Sequence, residues 1–313
     1  MLLQILNGDA TRTVFDKSGI PGEALVWREM LSEGLTPPGC DISLFFERRA
    51  AYLHEKYGIN AQTYQADIAG ARKTIQHAPR YEEIVLWFEF DLFCQVNLIF
   101  LITYLLKLNT PMPRVSVVQP GNHPEVPDFK GLGMLKPEHL PALFEKRSYL
   151  EAADWQLASA AWEAYTGRDP LALEALTHRA APNLPFLGGA IQAHLQRLPS
   201  LETGLNSIEH FFLEKITIGP LSERALYSQF WNEMKIYGFG DFQLDVTLQR
   251  MARAGVLQRD NEMIRLTDLG REVLRGEQAF LAYAPADNSW IGGIPLDGTP
   301  WRWSNKESRV VKV

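Results

Sequence analysis

Apolar residues fall along this chain in two rhythms. Short runs, dense in β-branched and aromatic residues, alternate with longer stretches in which apolar positions recur every three or four residues. Leu2–Leu6, Ala24–Trp27, Ile84–Phe88 and Arg114–Val118 are the short runs, and each reads as a strand. Helical spacing appears from about Thr11 to Ser18, over Ser43–Tyr57, over Thr63–His77 and from Asp91 to Leu108. Leu35–Gly39 (LTPPG) reads as a rigid loop, and Asn109–Pro113 as a second loop. A run such as Ile84–Phe88, unbroken by polar alternation, suits a strand covered on both faces. The order strand, helix, strand, helix, helix, strand, helix, strand predicts an α/β fold: an open, mostly parallel sheet with flanking helices and right-handed crossovers.

The densest stretch is Tyr81–Leu108, YEEIVLWFEFDLFCQVNLIFLITYLLKL. Its strand gives way to a nearly wholly apolar helix, and Asp91 stands where a carboxylate caps the free amides of a first turn. Asp91 and Gln95 are four apart and share a helix face. The uncharged part of this helix is shorter than the roughly 20 apolar residues that span a bilayer, so it reads as a buried core helix and not a membrane segment.

After residue 125 the rhythm is helical. Phe129–Leu143 is irregular, with a short helix starting at Pro137. Ser148–Tyr165, Pro170–His178, Leu184–Leu198 and Leu201–Ile218 read as four helices, broken at Gly167, Pro182 and Pro199. From 220 the pattern changes again. Helices Ser222–Ile236 and Phe242–Ala254 precede short strands Val256–Arg259 and Met263–Leu266, which flank a turn at residues 260–262. Thr267 then caps a helix to about Gly276. Trp290–Leu296 and Pro300–Trp303 suggest a β-hairpin tail. Three parts are therefore expected: an α/β sheet domain (1–125), a helical segment (126–219) and a winged-helix-like domain with a hairpin tail (220–313).

Composition narrows the function classes. The chain has 313 residues, 46% hydrophobic and 22% charged, with a net charge of -6. That charge opposes a general affinity for nucleic acid or anionic membranes. Residues 219–313 carry 12 basic and 12 acidic residues. A duplex-binding face is thus disfavoured, although Arg250, Arg253, Arg259, Arg265 and Arg271 could form a local stripe. Two cysteines, Cys40 and Cys94, cannot build a disulfide framework and fit a reducing cytoplasm. The start of the chain lacks a signal-peptide pattern. Homo-oligomerisation is left open.

If the strands are parallel, their carboxyl ends collect polar residues from separate segments: Asn7, Gly8 and Asp9; Arg28 and Glu29; Glu89, Asp91 and Gln95; Asn122 and His123. Open α/β sheets bind ligands at that edge. Asp9, Glu29, Glu89 and Asp91 are the candidate acid/base or metal-binding carboxylates, with Mg²⁺ the candidate ion because carboxylate oxygens suit it. Arg28 is the candidate anion contact, Asn7 and Gln95 the orienting amides, and Gly8 the residue that lets backbone or ligand approach. Against this stands a plainer reading, in which Asp91 is only a cap and Gln95 only a satisfied buried amide. His178, His194 and His210 have no partner at metal-ligand spacing and read as surface or satisfied core histidines. GxGxxG, GxxxxGK[ST], HExxH and nucleophile-elbow motifs are not found.

The motifs LNGD (Leu6–Asp9), LVWREML (Leu25–Leu31), LWFEFDLFCQ (Leu86–Gln95) and the LTDLG-to-WIGG tail together resemble a bacterial family known only as a domain of unknown function. The resemblance implies the same arrangement of parts, no particular chemistry, and Asp9, Glu29, Asp91 and Gln95 as the motif positions. Three functions are expected as alternatives. The chain acts on or binds a small polar or phosphorylated ligand at the sheet edge. Alternatively it is a ligand-responsive regulator whose winged-helix-like part binds DNA or a protein, or it is an interaction scaffold without a small ligand.

Overall fold

A computed structural model describes residues 1–108, 110–260, 263–286 and 288–313. Asn109, at the head of one expected loop, and Asn261 and Glu262, in the turn expected between the two short strands, lie outside the described residues.

The chain is α/β. Five strands form the main sheet in the order Glu23–Val26, Leu2–Leu6, Glu83–Trp87, Arg114–Val118, Ser148–Tyr149. The first four are parallel and the last is antiparallel. Leu86 lies level with Ile5 on one side and Val117 on the other. All five residues of the central strand are buried, as its unbroken apolar run requires. Alternation divides the sheet's contacts between two clusters. Leu3, Ile5, Ile84, Leu86, Val115 and Val117 enter a large cluster that also holds the long helices. Leu6, Val85, Trp87 and Val118 enter a smaller one with Phe129, Leu132, Leu140 and Phe144.

Most expected helices appear, bounded by side-chain caps. Asp41 accepts from the Ser43 amide and opens Ile42–Tyr57; Gly58, at φ 66°, ends it. Asn60 opens Ala61–Gln76, and Asp91 opens Leu92–Lys107. The last of these packs on Ala152–Thr166 and Leu187–Leu195. Among the described residues no helix is long and apolar enough to cross a membrane.

The segment after Glu23–Val26 turns inward instead of running over the surface. Glu29, Leu31, Ser32, Glu33, Gly34 and Thr36 are all buried. Arg49, fully buried on Ile42–Tyr57, reaches this segment with every donor group. It meets the Glu29 carboxylate at 2.9 Å and donates to the carbonyls of Met30 (2.9 Å), Glu33 (2.8 Å) and Leu35 (3.1 Å). Arg197 donates to the Ser32 carbonyl, Tyr165 to Leu31 and Asn97 to Glu29. Such a segment can be buried only because its carbonyls find these partners.

Several expectations need correction. Leu35, expected to begin the rigid loop, instead closes a two-residue strand, Gly34–Leu35, parallel to Trp290–Gly292. Gly34 has φ +77° and lies so close to the Tyr52 ring that a Cβ would overlap it. Ser148–Tyr149 is the sheet's edge strand and not the start of a helix, because Asp154 accepts the Glu151 amide and starts the helix at Ala152. Pro170–Glu174 and Leu187–Leu195 are shorter than their patterns predict. Of Leu201–Ile218 only Ser207–Lys215 is helical; Ser200 and Thr203 bond each other and nearby amides to form a turn, and Asn206 caps the shortened helix. The tail is two separate pairings: Trp290–Gly292 with Ile294–Pro295, and Trp301–Ser304 with Arg309–Lys312.

In the C-terminal part, helices Glu223–Glu233 and Asp241–Arg253 precede strands Leu257–Asp260 and Met263–Leu266. With Leu221–Ser222 these strands form a three-stranded antiparallel sheet, Met263–Leu266 in the middle. The stripe of arginines is largely paired. Arg250 meets Glu209, Arg259 meets Glu223 and Asp245, and Arg271 meets Asp268.

Replacing Arg49 by Met should destabilise the fold by about 3–5 kcal/mol, since it leaves a buried carboxylate and several carbonyls without a partner. Adding Glu29→Gln should recover part of that loss. Denaturant unfolding measures both; a loss below about 1 kcal/mol for Arg49→Met would show that the inward segment does not depend on it.

Candidate functional site

Two sheet strands end side by side, at Leu6 and at Trp87. Beyond them the chain places Asn7, then Phe88, Glu89, Phe90 and Asp91. Glu89 and Asp91 are both buried, at 2% and 4% exposure.

Glu89 is held by three donors. The Leu132 amide gives to one oxygen at 2.6 Å. The Asn7 amide nitrogen, at 2.5 Å, and the Cys94 thiol, at 3.1 Å, give to the other. Thr11 donates to the Asn7 carbonyl oxygen at 2.7 Å, so the Asn7 nitrogen is the end turned to Glu89. Gly131 presses close as well, since a Cβ there would stand 2.9 Å from the Glu89 carboxylate. Asp91 accepts a hydrogen bond from the Cys94 amide at 2.9 Å, which is the cap of its helix. Gly238, from the turn before Asp241–Arg253, lies against the Asp91 carboxylate; its φ is +64°, and a Cβ would fall 2.2 Å from a carboxylate oxygen. A distant part of the chain thus covers the sheet edge. Between the two lies a cavity of about 270 Å³, whose walls include Asn7, Glu89, Asp91, Cys94, Lys130 and Lys235.

Burial and mutual repulsion set the charge of this pair. Burial raises the pKa of Glu89 despite its three donors. Burial, and then the neighbouring Glu89 charge, raise that of Asp91 to about 7. The Cys94 thiol is pushed well up by burial and by the two carboxylates, so it is a hydrogen-bond donor and not a thiolate.

The contrast with other buried glutamates is chemical. Glu29 faces Arg49, Glu33 faces Arg197, Glu83 faces Arg147 and Glu209 faces Arg250. Asp154, also buried, accepts from three amide N–H donors, those of Glu151 and Asn183. Among the described residues Glu89 and Asp91 have no such cation, and they adjoin each other.

The expected site residues therefore divide. Asn7, Glu89 and Asp91 come together at the cavity. Gln95 supports it from behind: its amide donates to the Glu89 carbonyl at 2.7 Å and to Gln119 at 3.0 Å, while its own carbonyl oxygen is buried without a partner. Asp9 and Arg28 form an exposed two-pronged ion pair at 2.7 and 2.8 Å, outside the cavity lining. Glu29 is committed to Arg49, Tyr64 and the Met30 amide. Gly8 opens the helix Asp9–Phe15 with an extended φ of 178°, which any residue adopts, and a Cβ there would meet nothing within 4 Å. Asn122 is exposed, and His123 stacks on His139 at 4.4 Å. The four carboxylates considered for Mg²⁺ are thus separated into two at the cavity and two on arginines. Among the described residues no group of three His, Cys, Asp or Glu side chains has the arrangement that holds a metal ion.

Sequence reasoning missed the opposite wall. Lys130, the Leu132 amide, Lys235 and Gly238 come from segments read as irregular or as belonging to another part. Glycines flanking Leu132 (Gly131, Gly133) and Phe239 (Gly238, Gly240) were the available signals. No family model matches the chain, and none of the curated proteins compared with it matches in sequence.

The raised carboxylates make a pH prediction. Asp91 holds its proton more tightly folded than unfolded, where its pKa is near 3.8. Between about pH 4 and 7 the folded state therefore binds more protons, and stability falls as pH rises through that window. Asp91→Asn should flatten this slope relative to wild type, by a few kcal/mol at pH 7.5 compared with pH 4.5. Urea melts across the range check it. Parallel slopes for variant and wild type would show that Asp91 ionises in the fold as freely as in water.

Proposed function

We propose that this chain binds a small polar or phosphorylated molecule in the cavity at the carboxyl edge of its sheet and transfers a proton to or from it. The reading rests on one observation: Glu89 and Asp91 are buried together, at a cavity wall, without the arginine that accompanies each other buried glutamate. Burying carboxylates unpaired is costly, and a fold that gains nothing from them would replace them with apolar residues.

The roles follow from the geometry. Asp91, with its pKa raised to about 7, can give or take a proton near neutrality. Glu89, fixed by Asn7, Leu132 and Cys94, keeps that pKa high by its charge. Lys130 and Lys235 stand at the cavity wall and, among the described residues, make no ion pair, so they suit the anionic part of a ligand. Asn7 and Gln95 act as positioning residues. On the LNGD and LWFEFDLFCQ motifs, we also group the chain with the bacterial family of unknown function that it resembles.

A regulator reading retains one supporting observation. Helix, strand, helix, helix and a two-stranded wing succeed one another from Ser207 to Leu266, as in winged-helix domains. The face such domains turn to DNA is otherwise engaged here. Gln243, near the start of Asp241–Arg253, is buried and donates to Met30 Sδ, and Arg250, Arg259 and Arg271 sit in ion pairs.

Thermal-shift screening with inorganic phosphate and small phosphorylated compounds tests the proposal. A ligand at a hundredfold excess over its Kd should stabilise wild type by about 2.7 kcal/mol. Lys130→Ala with Lys235→Ala should abolish the shift. Asp91→Asn should keep binding but remove any turnover and its pH dependence near 7. A cooperative melt unmoved by every compound would refute the reading.

A further inference from the structure

The cavity at the carboxylate pair has a neighbour of different character. On the other side of Phe93 and Gly238, which line both spaces, lies a second cavity of about 330 Å³. Its walls include Met30, Tyr57, Ile59, Phe93 and Phe242. Its two buried polar side chains are already engaged. The Tyr57 hydroxyl donates to Glu33 at 2.6 Å, and Gln243 accepts from the Gly240 amide and donates to Met30. Asp241, the one charged residue of the lining, is exposed and accepts from the Phe242 amide at 3.0 Å, so the rest of this space offers a ligand mainly apolar surface. Phe242 stands at its edge with 63% of its surface exposed, in the first turn of a helix in which Leu244, Leu248 and Met251 are buried and Val246 and Ala252 half-buried. An aromatic side chain left out of the core beside an apolar cavity is what a binding wall for an apolar group requires.

We infer that the ligand is amphipathic: its anionic or polar head sits between Lys130, Lys235 and the Glu89–Asp91 pair, and an apolar tail crosses Phe93 to lie on Ile59 and Phe242. The inference rests on the function proposed for the carboxylate cavity and adds the substrate class. The two lobes share Phe93 and Gly238 and differ in the rest of their walls. The head lobe sets the carboxylates that follow the central strand against Lys130 and the segment Phe230–Phe239, which carries Lys235. The tail lobe joins the inward segment at Met30 and the end of Ile42–Tyr57 to the turn at Gly238–Phe242. A head-only ligand would leave the second lobe wet against apolar walls; a tail displaces that water to favourable effect.

Calorimetric titration of the full chain with inorganic phosphate and with butyl, hexyl and octyl phosphate, all below micellar concentration, tests this. Affinity should rise about fourfold for each added methylene, the value expected for its transfer out of water, until the lobe is full. Ile59→Trp, which fills the tail lobe, should remove the chain-length dependence and leave phosphate affinity unchanged. Because that substitution could perturb folding, the exposed Phe242→Ala gives a second check and should weaken octyl phosphate at least tenfold, with little effect on phosphate. Lys130→Ala should weaken all four ligands by a similar factor. Phosphate binding with no gain from chain length would overturn the amphipathic ligand and leave the proposed function standing. Binding of none of the four would overturn both. A chain-length gain that survives Ile59→Trp and Phe242→Ala unchanged would place the tail elsewhere and overturn the assignment of this lobe.

Discussion

The buried guanidinium of Arg49 is the constraint on which the rest of the structure depends. A loop leaving the end of a parallel strand normally runs over the surface, where water satisfies its carbonyls. Residues 29–36 instead run through the interior. Arg49 supplies donors to three of their carbonyls and charge to Glu29, and Arg197, Tyr165 and Asn97 complete the set. Once buried, the segment becomes a surface on which other parts assemble. Gly34–Leu35 pairs with Trp290–Gly292, and Met30 receives Gln243. The C-terminal third is thereby brought to the N-terminal sheet.

That assembly has a direct consequence for the sheet edge. In an open α/β sheet the carboxyl ends of the strands face a crevice open to water. Here the turn at Gly238 covers Asp91, and the Gly131–Leu132 segment covers Glu89. Two carboxylates that would be ordinary in water are desolvated together. Local dielectric and mutual repulsion then decide their protonation, which is the same physics that separates acid and base roles among carboxylates in hydrolytic and isomerising enzymes. Glu29, Glu83, Glu33 and Glu209, also buried, each lie against a guanidinium instead of a second carboxylate.

The covering wall also divides the crevice. Phe93, in the first turn of the core helix, and Gly238 separate a space that holds two carboxylates and two lysines among aromatic walls from one that has no lysine and is mostly aliphatic and aromatic. Gly238 cannot be enlarged without striking Asp91, so the closeness of the two walls is a property of the backbone. The exposure of Phe242 and the unpaired state of the carboxylates belong to the same crevice.

The sequence by itself determined the α/β class, all four parallel strands to within a residue, the core helix and the Asp91 cap that starts it. These are local matters. An apolar run of five residues must be covered on both faces, and a carboxylate before an apolar helix meets free amides wherever the chain goes. Glu89 and Asp91 were legible as site candidates because they come directly after the central strand. Which of the neighbouring polar residues join them was a tertiary decision. Asp9 and Glu29 carry the same charge at comparable strand ends, yet Arg28 and Arg49 engage them. Lys130 and Lys235 lie 41 and 146 residues beyond Glu89, and nothing in their local sequence marks them as its neighbours. The inward path of residues 29–36 was equally hidden, because it depends on an arginine that looks like one more surface charge on an amphipathic helix until its donors find four partners in the interior. The physical reason is common to all of these. Hydrophobic periodicity reports which face of an element is buried, whereas the matching of buried charges is set by distances between elements that only the packed fold defines.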